Sequence, residues 1–413
     1  MSGNNELEWY TPSNTQIADG KLVIEARKFD TPDGPSSYTS SKIISRGKAD
    51  FGLADSKTDD AKMDATSNTY ITSRRFEASL RLPWGHGIWP AFWMLPTFDT
   101  FGGWPKSGEI DIMENIGKEG PNTVHGTVHY GLDGPQHQYS ESGITIAAAD
   151  DLNNTFHTYA VERHNGVIQW YIDDIEYSSI TRLEMKPYLW PFDQEFYFII
   201  NLAVGGNWPG NPVDSANSTE EVTVFPQQLV VDYVRVYEGV FPRLVGNNIV
   251  KCKERGAVYE ITNLDRVSEY DGITYSWTIP DGATIIEGEG TSSIRVDFDS
   301  FVYDNNINDS EVIRVQAYGL TSQQVAHSIG LAKLQTGIGM RIKVVDYDGT
   351  CSGNSSANPV PRFKFDCGRP DTCTEYVLHR TTDEFTCGER IQYLMKEQGM
   401  SEMDACREVG CES

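Results

Sequence analysis

Short runs of alternating apolar and polar residues, separated by turn-forming residues, make up most of the chain. Residues 123–129, 257–261 and 293–298 follow this pattern. A period of two is typical of strands with one buried face, and clusters of Gly, Pro, Asn and Asp are typical of turns. The longest apolar run, Phe196–Val204, contains Asn201 and is shorter than the roughly 18–20 residues of a membrane span. The pattern predicts an all-β protein without a membrane span.

One strand-like segment carries three acids. Residues 108–115 read Gly-Glu-Ile-Asp-Ile-Met-Glu-Asn, so Glu109 and Asp111 share one face of a strand and the isoleucines the other. Strict alternation would bury Glu114, but one extra residue, a β-bulge at about Met113, returns it to the acidic face. Retaining glycosidases need two carboxyl groups roughly 5–5.5 Å apart. A half-solvated antiparallel strand shows the same alternation, so the motif needs support from its surroundings.

The flanking segments supply groups suited to a sugar. Residues 87–94, Gly-Ile-Trp-Pro-Ala-Phe-Trp-Met, and 103–105, Gly-Trp-Pro, hold three of the nine tryptophans. The strand at 123–129 places His125, Thr127 and His129 on one face. Indole rings stack on the C–H faces of sugars, and hydroxyl groups need convergent polar partners. Together the segments predict a site for a neutral polysaccharide.

These blocks resemble the family 16 glycoside hydrolases, in particular the laminarinase (endo-β-1,3-glucanase) branch. Residues 3–7, 201–210 and 231–237 also match, in the family's order, so the resemblance covers residues 3 to about 240. It implies a jelly-roll β-sandwich with the acids on its concave face. It further implies Glu109 as nucleophile, Glu114 as acid/base and Asp111 as a modulator of both.

The implied roles are physically reasonable. Glu109 must be ionised to attack the anomeric carbon, whereas Glu114 must hold a proton. Neighbouring like charges disfavour joint ionisation, so one pKa rises and the other falls. Asp111 lies between them, and the titration therefore belongs to the cluster.

The longer, bulged acid motif is shared by laminarinases, agarases and carrageenases, whereas lichenases and xyloglucan-active enzymes have the shorter form. The chain has 34 basic and 59 acidic residues and a net charge of −25, which disfavours nucleic acid and polyanionic glycans such as carrageenan. The resemblance of the flanking blocks to laminarinases, with the charge as a tie-breaker, implies retaining endo-hydrolysis of β-1,3-glucan with no required cofactor. The alternatives are another family activity (mixed-linkage glucan, agar, transglycosylation) and a non-catalytic β-glucan-binding protein.

Seven further residues are expected to bind substrate. Trp104 is the expected sugar platform, and the resemblance places other residues in the cleft. His125 and His129 are expected to hydrogen-bond the acids or the sugar, with a structural role as the alternative. The set is Trp104, Trp89, Trp208, His125, His129, Asn5 and Arg75. Trp93 is expected in the core, since it lies among Phe92, Met94 and Leu95.

A structural calcium is a weaker expectation. Asp232 matches a position that helps bind calcium on the convex side of many family members, but Ca²⁺ takes six or more oxygen ligands. The family's amino-terminal acidic ligand has no counterpart here. The chain starts at Met1 already inside the family domain, so a first strand is expected to be missing and no signal peptide is visible. Residues 53–72 are expected to form an inserted surface loop.

The chain is too long for one sandwich. We expect the jelly roll at 1–240, a PKD-like module of immunoglobulin fold at 241–347, and a Cys-rich tail at 348–413. The module resembles PKD-like domains at residues 275–283, where Trp277 is the expected core tryptophan, and a spacer or protein-contact role is the default for it.

Cysteine is confined to the second half of the chain. Cys252 is followed by six cysteines at 351, 367, 373, 387, 406 and 411, which predict a small segment stapled by up to three disulfides. Six cysteines allow 15 pairings. Zinc is the weaker alternative because Cys-x-x-Cys is absent. Disulfides indicate an oxidising compartment, so we expect a secreted protein, acting as a monomer.

Overall fold

The computed structural model describes residues 4–29, 37–52, 73–132, 134–146, 152–164, 166–213, 221–239, 241–251, 253–262, 273–298, 312–320, 329–345, 381–382 and 385–386. The chain divides into two compact units, Met1–Val344 and Val345–Ser413. The expected loop at 53–72 lies outside the described residues, as do Cys252 and all six tail cysteines.

The described elements are almost all strands. They are β1 (Glu8–Tyr10), β2 (Thr15–Ala18), β3 (Lys21–Phe29), β4 (Ser37–Ser40), β5 (Lys42–Ile44), β6 (Asp50–Phe51), β7 (Ser73–Arg81), β8 (Ile88–Pro96), β9 (Glu109–Glu114), β10 (Thr123–Gly131), β11 (His137–Thr145), β12 (His157–His164), β13 (Val167–Ile172), β14 (Ile175–Thr181), β15 (Phe196–Val204), β16 (Gln227–Gly239), β17 (Arg243–Gly246), β18 (Ile249–Lys251), β19 (Ala257–Thr262), β20 (Thr274–Thr278), β21 (Thr284–Glu287), β22 (Ser293–Asp297), β23 (Val312–Tyr318), β24 (Ile338–Arg341), β25 (Lys343–Val345), β26 (Thr381–Thr382) and β27 (Phe385–Thr386). The described helices are short 3-10 turns at Pro12–Asn14, Gly117–Glu119 and Gly134–Gln136 and the α-helix α1 (Ile329–Thr336). None of them has the length and apolar composition that a membrane crossing requires.

Two large sheets pack face to face in the first part of the chain. One has the order β11-β10-β9-β8-β15-β5, with β6 also on β15. The other runs β1-β4-β3-β16-β7-β12-β13-β14 before it continues further, with β2 on β3. Residues from both sheets form a single core that includes Phe76, Phe92, Ile110, Phe198 and Leu229, none more than 7% exposed. The predicted all-β sandwich is confirmed.

A second, smaller sandwich follows. The sheet β17-β19-β22-β21 packs against β20, β23 and β24 around a separate core that includes Tyr259, Val296 and Val315. Trp277 packs against this core and donates its indole hydrogen to Thr291 O at 2.8 Å, in line with its expected core role. The domain borders at 240 and 347 remain predictions.

The two sandwiches share a sheet. β14 pairs in parallel with β24 through Ile175↔Gly339 and Glu176↔Met340, so the large outer sheet continues through β24, β23 and β20. Gly339 N also donates to Asp174 O at 3.1 Å. The pairing covers an edge strand that would otherwise expose unpaired backbone groups. The alternation of apolar and polar residues along the sequence did not predict that one sheet runs through both sandwiches.

A buried ion network closes the junction. The Arg75 guanidinium contacts Glu77 at 2.9 Å, Glu162 at 3.0 Å and Asp174 at 2.7 Å. Lys333, on α1, contacts Glu77 and Asp174, each at 2.8 Å. Burial alone would raise the pKa of Glu77, but Arg75 and Lys333 hold it below its usual value. A buried carboxylate needs such partners, so Lys333 links the second sandwich to the first by charge as well as by backbone pairing.

Replacing Lys333 by Met should therefore destabilise the whole first unit. We expect a loss of about 1–3 kcal/mol, because Glu77 and Asp174 lose one of their charged partners, and a fall in Tm of about 2–4 °C per kcal/mol. Calorimetry checks this, with Arg295→Met as the control, since Arg295 pairs with Glu287 at 3.1 Å on the exposed surface. Equal effects of the two substitutions would contradict the role of Lys333 at the junction.

Candidate active site

A cleft of about 690 Å³ lies over the sheet that contains β8, β9 and β15. Its lining includes Glu109, Asp111 and Glu114 from β9 together with the amino-terminal segment around β1. This cleft therefore brings the three acids of the sequence motif into one cavity.

A β-bulge places the acids on one face. Between β8 and β9 the register runs Phe92↔Met113 and then Trp93↔Asp111, so Ile112 is the extra residue. Ile112 and Met113 are both buried in the core, at 1% and 0% exposure. Two consecutive inward side chains restore the phase of the strand. The predicted bulge is confirmed, one residue earlier than about Met113.

Two indole groups hold the outer acids. Trp104 Nε1 donates to Glu109 Oε2 at 2.8 Å, and Trp89 Nε1 donates to Glu114 Oε1 at 3.0 Å. Trp104 is 53% exposed, so its ring is also free to meet a ligand. Each bond favours the ionised form of its carboxyl group and fixes its orientation.

Burial raises the pKa of all three carboxyl groups. The pKa of Glu109 rises to about 8, first by burial and then by the charge of Asp111. Burial also raises the pKa of Asp111 to about 8, against a hydrogen bond with Glu109. Burial takes the pKa of Glu114 well above its usual range, and the charges of Asp111 and Glu109 add to the effect. The expectation that one pKa of the pair rises while the other falls is wrong, because burial raises all three. The cluster therefore retains protons at neutral pH, as a site that needs a carboxylic acid requires.

His129 lies beside the acids. Its Nε2 is 3.4 Å from Asp111 Oδ2 and 3.8 Å from Glu109 Oε1, and its Nδ1 shares a hydrogen bond of 2.9 Å with His137 Nε2. His137 also packs against Trp104, with ring centroids 4.7 Å apart. The structure thus brings His129 to the acids, on the strand face that the pattern indicated.

His125 has a different environment. Its Nε2 is 2.8 Å from Glu119 Oε2 and its Nδ1 is 2.6 Å from Glu141 Oε1. Burial opposes the charged form, but the two carboxylates outweigh it and raise the pKa of His125. The expected hydrogen bonds of His125 to the three acids are corrected, because both ring nitrogens face other carboxylates. Its expected contact with the sugar stays a prediction.

Trp208 and Asn5, two further expected cleft residues, are outside the described lining of the cleft but contact residues near it. Trp208 meets Trp89 edge-on, with ring centroids 5.6 Å apart. Asn5 donates from its side-chain amide to Asn207 Oδ1 at 2.9 Å, and its neighbours Asn4 and Glu6 line the cleft. Asn5 therefore supports the loop that carries Trp208.

Arg75 is not in the cleft. The expectation that it contacts substrate is corrected, because Arg75 lies in the opposite sheet, is 2% exposed and is held by the three carboxylates of the junction. The structure instead places Lys42 in the cleft, over the rings of Tyr10 at 5.3 Å and Trp93 at 5.6 Å.

Asp232 does not fit calcium. Its carboxylate is 2.7 Å from Lys21 Nζ, so an ammonium group stands where a cation would bind. Among the described residues, the group of three potential ligands is Glu109, Asp111 and His129, with ligand atoms within 4.8 Å of one another. Those residues belong to the cleft, so they give no support to calcium at Asp232.

Trp93 is a cleft residue rather than the core residue that was expected. Its indole donates to Asn201 Oδ1 at 2.7 Å, and Asn201 donates to the Tyr10 hydroxyl at 3.1 Å. Alternation along β8 puts Phe92 and Met94 in the core and Trp93 on the other face. Trp9, which is 77% exposed, also lines the cleft. Strict alternation along residues 88–96 was the signal that could have identified Trp93.

Comparisons with known proteins agree with this arrangement. A family model for glycosyl hydrolases family 16 matches residues 4–233, and one for a PKD-like domain matches residues 241–326. A β-glucanase of Rhodothermus marinus is 40% identical over 248 residues, which are 58% of this chain and 76% of the relative.

Two further proteins are similar. The glucan endo-1,3-β-glucosidase A1 of Niallia circulans is 34% identical over 250 residues, which are 57% of this chain and 33% of the relative. The solved endo-β-1,3-glucanase of Pyrococcus furiosus is 40% identical, covers 58% of this chain and 82% of its own, and has a TM-score of 0.46. Since the first family model spans more than half of the sequence and includes the acid motif, the chain belongs to glycosyl hydrolases family 16.

Proposed function

We propose that this glycoside hydrolase cleaves β-1,3-glucan within the chain, with retention of configuration at the anomeric carbon. The main support is that three acids share one face of β9 and that each of the outer two, Glu109 and Glu114, accepts a hydrogen bond from an indole. Two carboxyl groups on one sheet are what a double displacement requires. Glucan cleavage by relatives named as glucanases supports the substrate class.

In this mechanism Glu109 is the nucleophile and Glu114 the acid/base. Glu109 attacks the anomeric carbon while Glu114 gives its proton to the departing glycosidic oxygen, and a glycosyl-enzyme forms. Glu114, now a carboxylate, then takes a proton from the water that releases the sugar. Asp111 hydrogen-bonds Glu109 and lies between the two. In the second step Glu109 leaves the sugar as a carboxylate. Asp111 can then keep its proton or share it with Glu109 through their hydrogen bond.

The lining favours a neutral polymer. Among the described residues that line the cleft, Lys42 is the one cation, whereas five are acidic: Glu6, Glu8, Glu109, Asp111 and Glu114. A sulfated glycan would therefore have Lys42 as its one positively charged partner among these residues. Exposed indoles such as Trp9 and Trp104 offer faces for uncharged glucosyl units. A polymer of this kind does not cross a bilayer, so the proposal implies action outside the cell.

The activity is tested by release of reducing ends from laminarin, lichenan, agarose and carrageenan. We expect release from laminarin by the parent and none by Glu109→Gln, because an amide cannot act as the nucleophile. NMR of the first sugar formed should show the β-anomer. Greater release from another glycan with the same Glu109 dependence would change the substrate, and no release by a folded parent would favour a binding protein.

The Trp104→Phe substitution should separate turnover from binding. It keeps an aromatic face for the sugar but removes the hydrogen bond to Glu109, so we expect kcat to fall about 10- to 100-fold with little change in KM. Steady-state kinetics on laminarin measure both. Trp277→Phe removes an indole bond of equal length in the second sandwich and should leave kcat unchanged. A rise in KM alone for Trp104→Phe would contradict the bond's role in turnover.

The pH dependence of stability should reveal the crowded carboxyl groups. A carboxyl group whose pKa is raised by folding stabilises the fold at low pH, and this contribution is lost as pH rises toward its folded pKa. Glu114→Gln should therefore raise Tm near pH 8.5 but hardly near pH 4, by about 2–4 °C per kcal/mol gained. Thermal unfolding at both values checks this, and Glu260→Gln, at an exposed site, should change neither.

A further inference from the structure

His125 lies outside the described lining of the cleft but next to the catalytic strand. In the register of β9 and β10 it stands directly opposite Glu114. It is 7% exposed, and both of its ring nitrogens meet carboxylates, from Glu119 in the 3-10 turn after β9 and from Glu141 in β11. Gly143 faces it on β11, where a Cβ would come within 3.3 Å of Nδ1. Because Gly143 has no side chain, it leaves room for the His125 ring.

A chain of ring contacts joins this histidine to the acid/base. The His125 ring meets Trp208 edge-on, with centroids 5.0 Å apart. Trp208 in turn meets Trp89 edge-on at 5.6 Å, and Trp89 donates its indole hydrogen to Glu114 Oε1 at 3.0 Å. Edge-to-face contacts depend on orientation, so each ring limits the rotation of the next.

We propose that His125, clamped by Glu119 and Glu141, is a positioning residue for Glu114 that acts through the Trp208–Trp89 pair. The clamp fixes the imidazole in place, and the two rings carry its position to the indole hydrogen bond. This inference rests on the proposed function, since it assigns Glu114 as the acid/base. It assigns His125 a role other than the expected contact with substrate.

Charge holds the clamp together. Burial opposes the imidazolium, but Glu141 and Glu119 raise the pKa of His125, and the histidine in turn lowers the pKa of Glu141. On the other side, the groups that face Glu114 are Asp111, Glu109 and His129, together with the Trp89 indole. Substitution of His125 or Trp208 leaves all four of these residues in the chain. The Trp89 bond lowers the pKa of Glu114, so a loosened indole should make Glu114 harder to ionise.

The test is the titration of Glu114 by NMR in protein labelled with ¹³C at the glutamate carboxyl, for the parent, His125→Gln and Trp208→Ala. Both substitutions should move the Glu114 midpoint to higher pH by about half a pH unit or more. Trp208→Ala changes no charge, so a shift in that variant reports the ring contacts. Trp208→Phe keeps an aromatic edge and should restore most of the parent midpoint.

Kinetics on laminarin provide the second readout. His125→Gln and Trp208→Ala should each lower kcat about tenfold with KM within about twofold, and the double variant should be no slower than either single one, because the residues act in series. His157→Gln is the matched control: this histidine, in β12 of the opposite sheet, is 9% exposed and lies 2.6 Å from Asp173. It should leave both the Glu114 midpoint and kcat unchanged.

Distinct results would overturn the inference. An unchanged Glu114 midpoint in Trp208→Ala, or additive losses of kcat in the double variant, would show that His125 does not act through the rings. If His125→Gln fails to fold, Glu119→Gln, at a site 36% exposed, replaces it with the same expected direction. An inactive but folded parent would reject the proposed function alone, because the NMR titration needs no substrate.

Discussion

The bulge in β9 is the constraint on which the site depends. A strand places alternate residues on opposite faces, so three acids spaced as Glu109, Asp111 and Glu114 cannot share a face without an extra residue. Ile112 supplies it, and Ile112 and Met113 enter the core together. Their burial fixes the bulge in place, since a shift of one position would expose an apolar side chain and bury a carboxylate. Core packing thus sets the geometry of the acids.

Crowding the acids in a half-buried cleft has an electrostatic cost. Burial raises the pKa of Glu109 and Asp111 to about 8, with added repulsion from Asp111 on Glu109 and from Glu141 on Asp111, and burial takes the pKa of Glu114 well above its usual range. Two hydrogen bonds offset part of this cost: the Trp104 indole donates to Glu109, and the Trp89 indole donates to Glu114. The same energy that weakens the fold at alkaline pH keeps one carboxyl group protonated for catalysis.

The opposite sheet solves a different problem. Among its described strands only β1 lines the cleft, and its last strand in the first sandwich, β14, would be an open edge without the second sandwich. Backbone pairing with β24 and the contact of Lys333 with Glu77 and Asp174 close that edge. The PKD-like module therefore contacts the first sandwich directly, and its expected role as a spacer or protein-contact module stays a prediction.

The sequence by itself determined the strand pattern, the acid motif with its bulge, and the aromatic surroundings, because these depend on local periodicity. It could not assign partners that lie far apart in the chain. Arg75 meets Asp174, Lys42 meets Trp93, and His125 meets two carboxylates only because strands distant in sequence become neighbours. Sheet order decides which face of a strand packs in the core and which charged groups pair. Sheet order is a property of the tertiary structure.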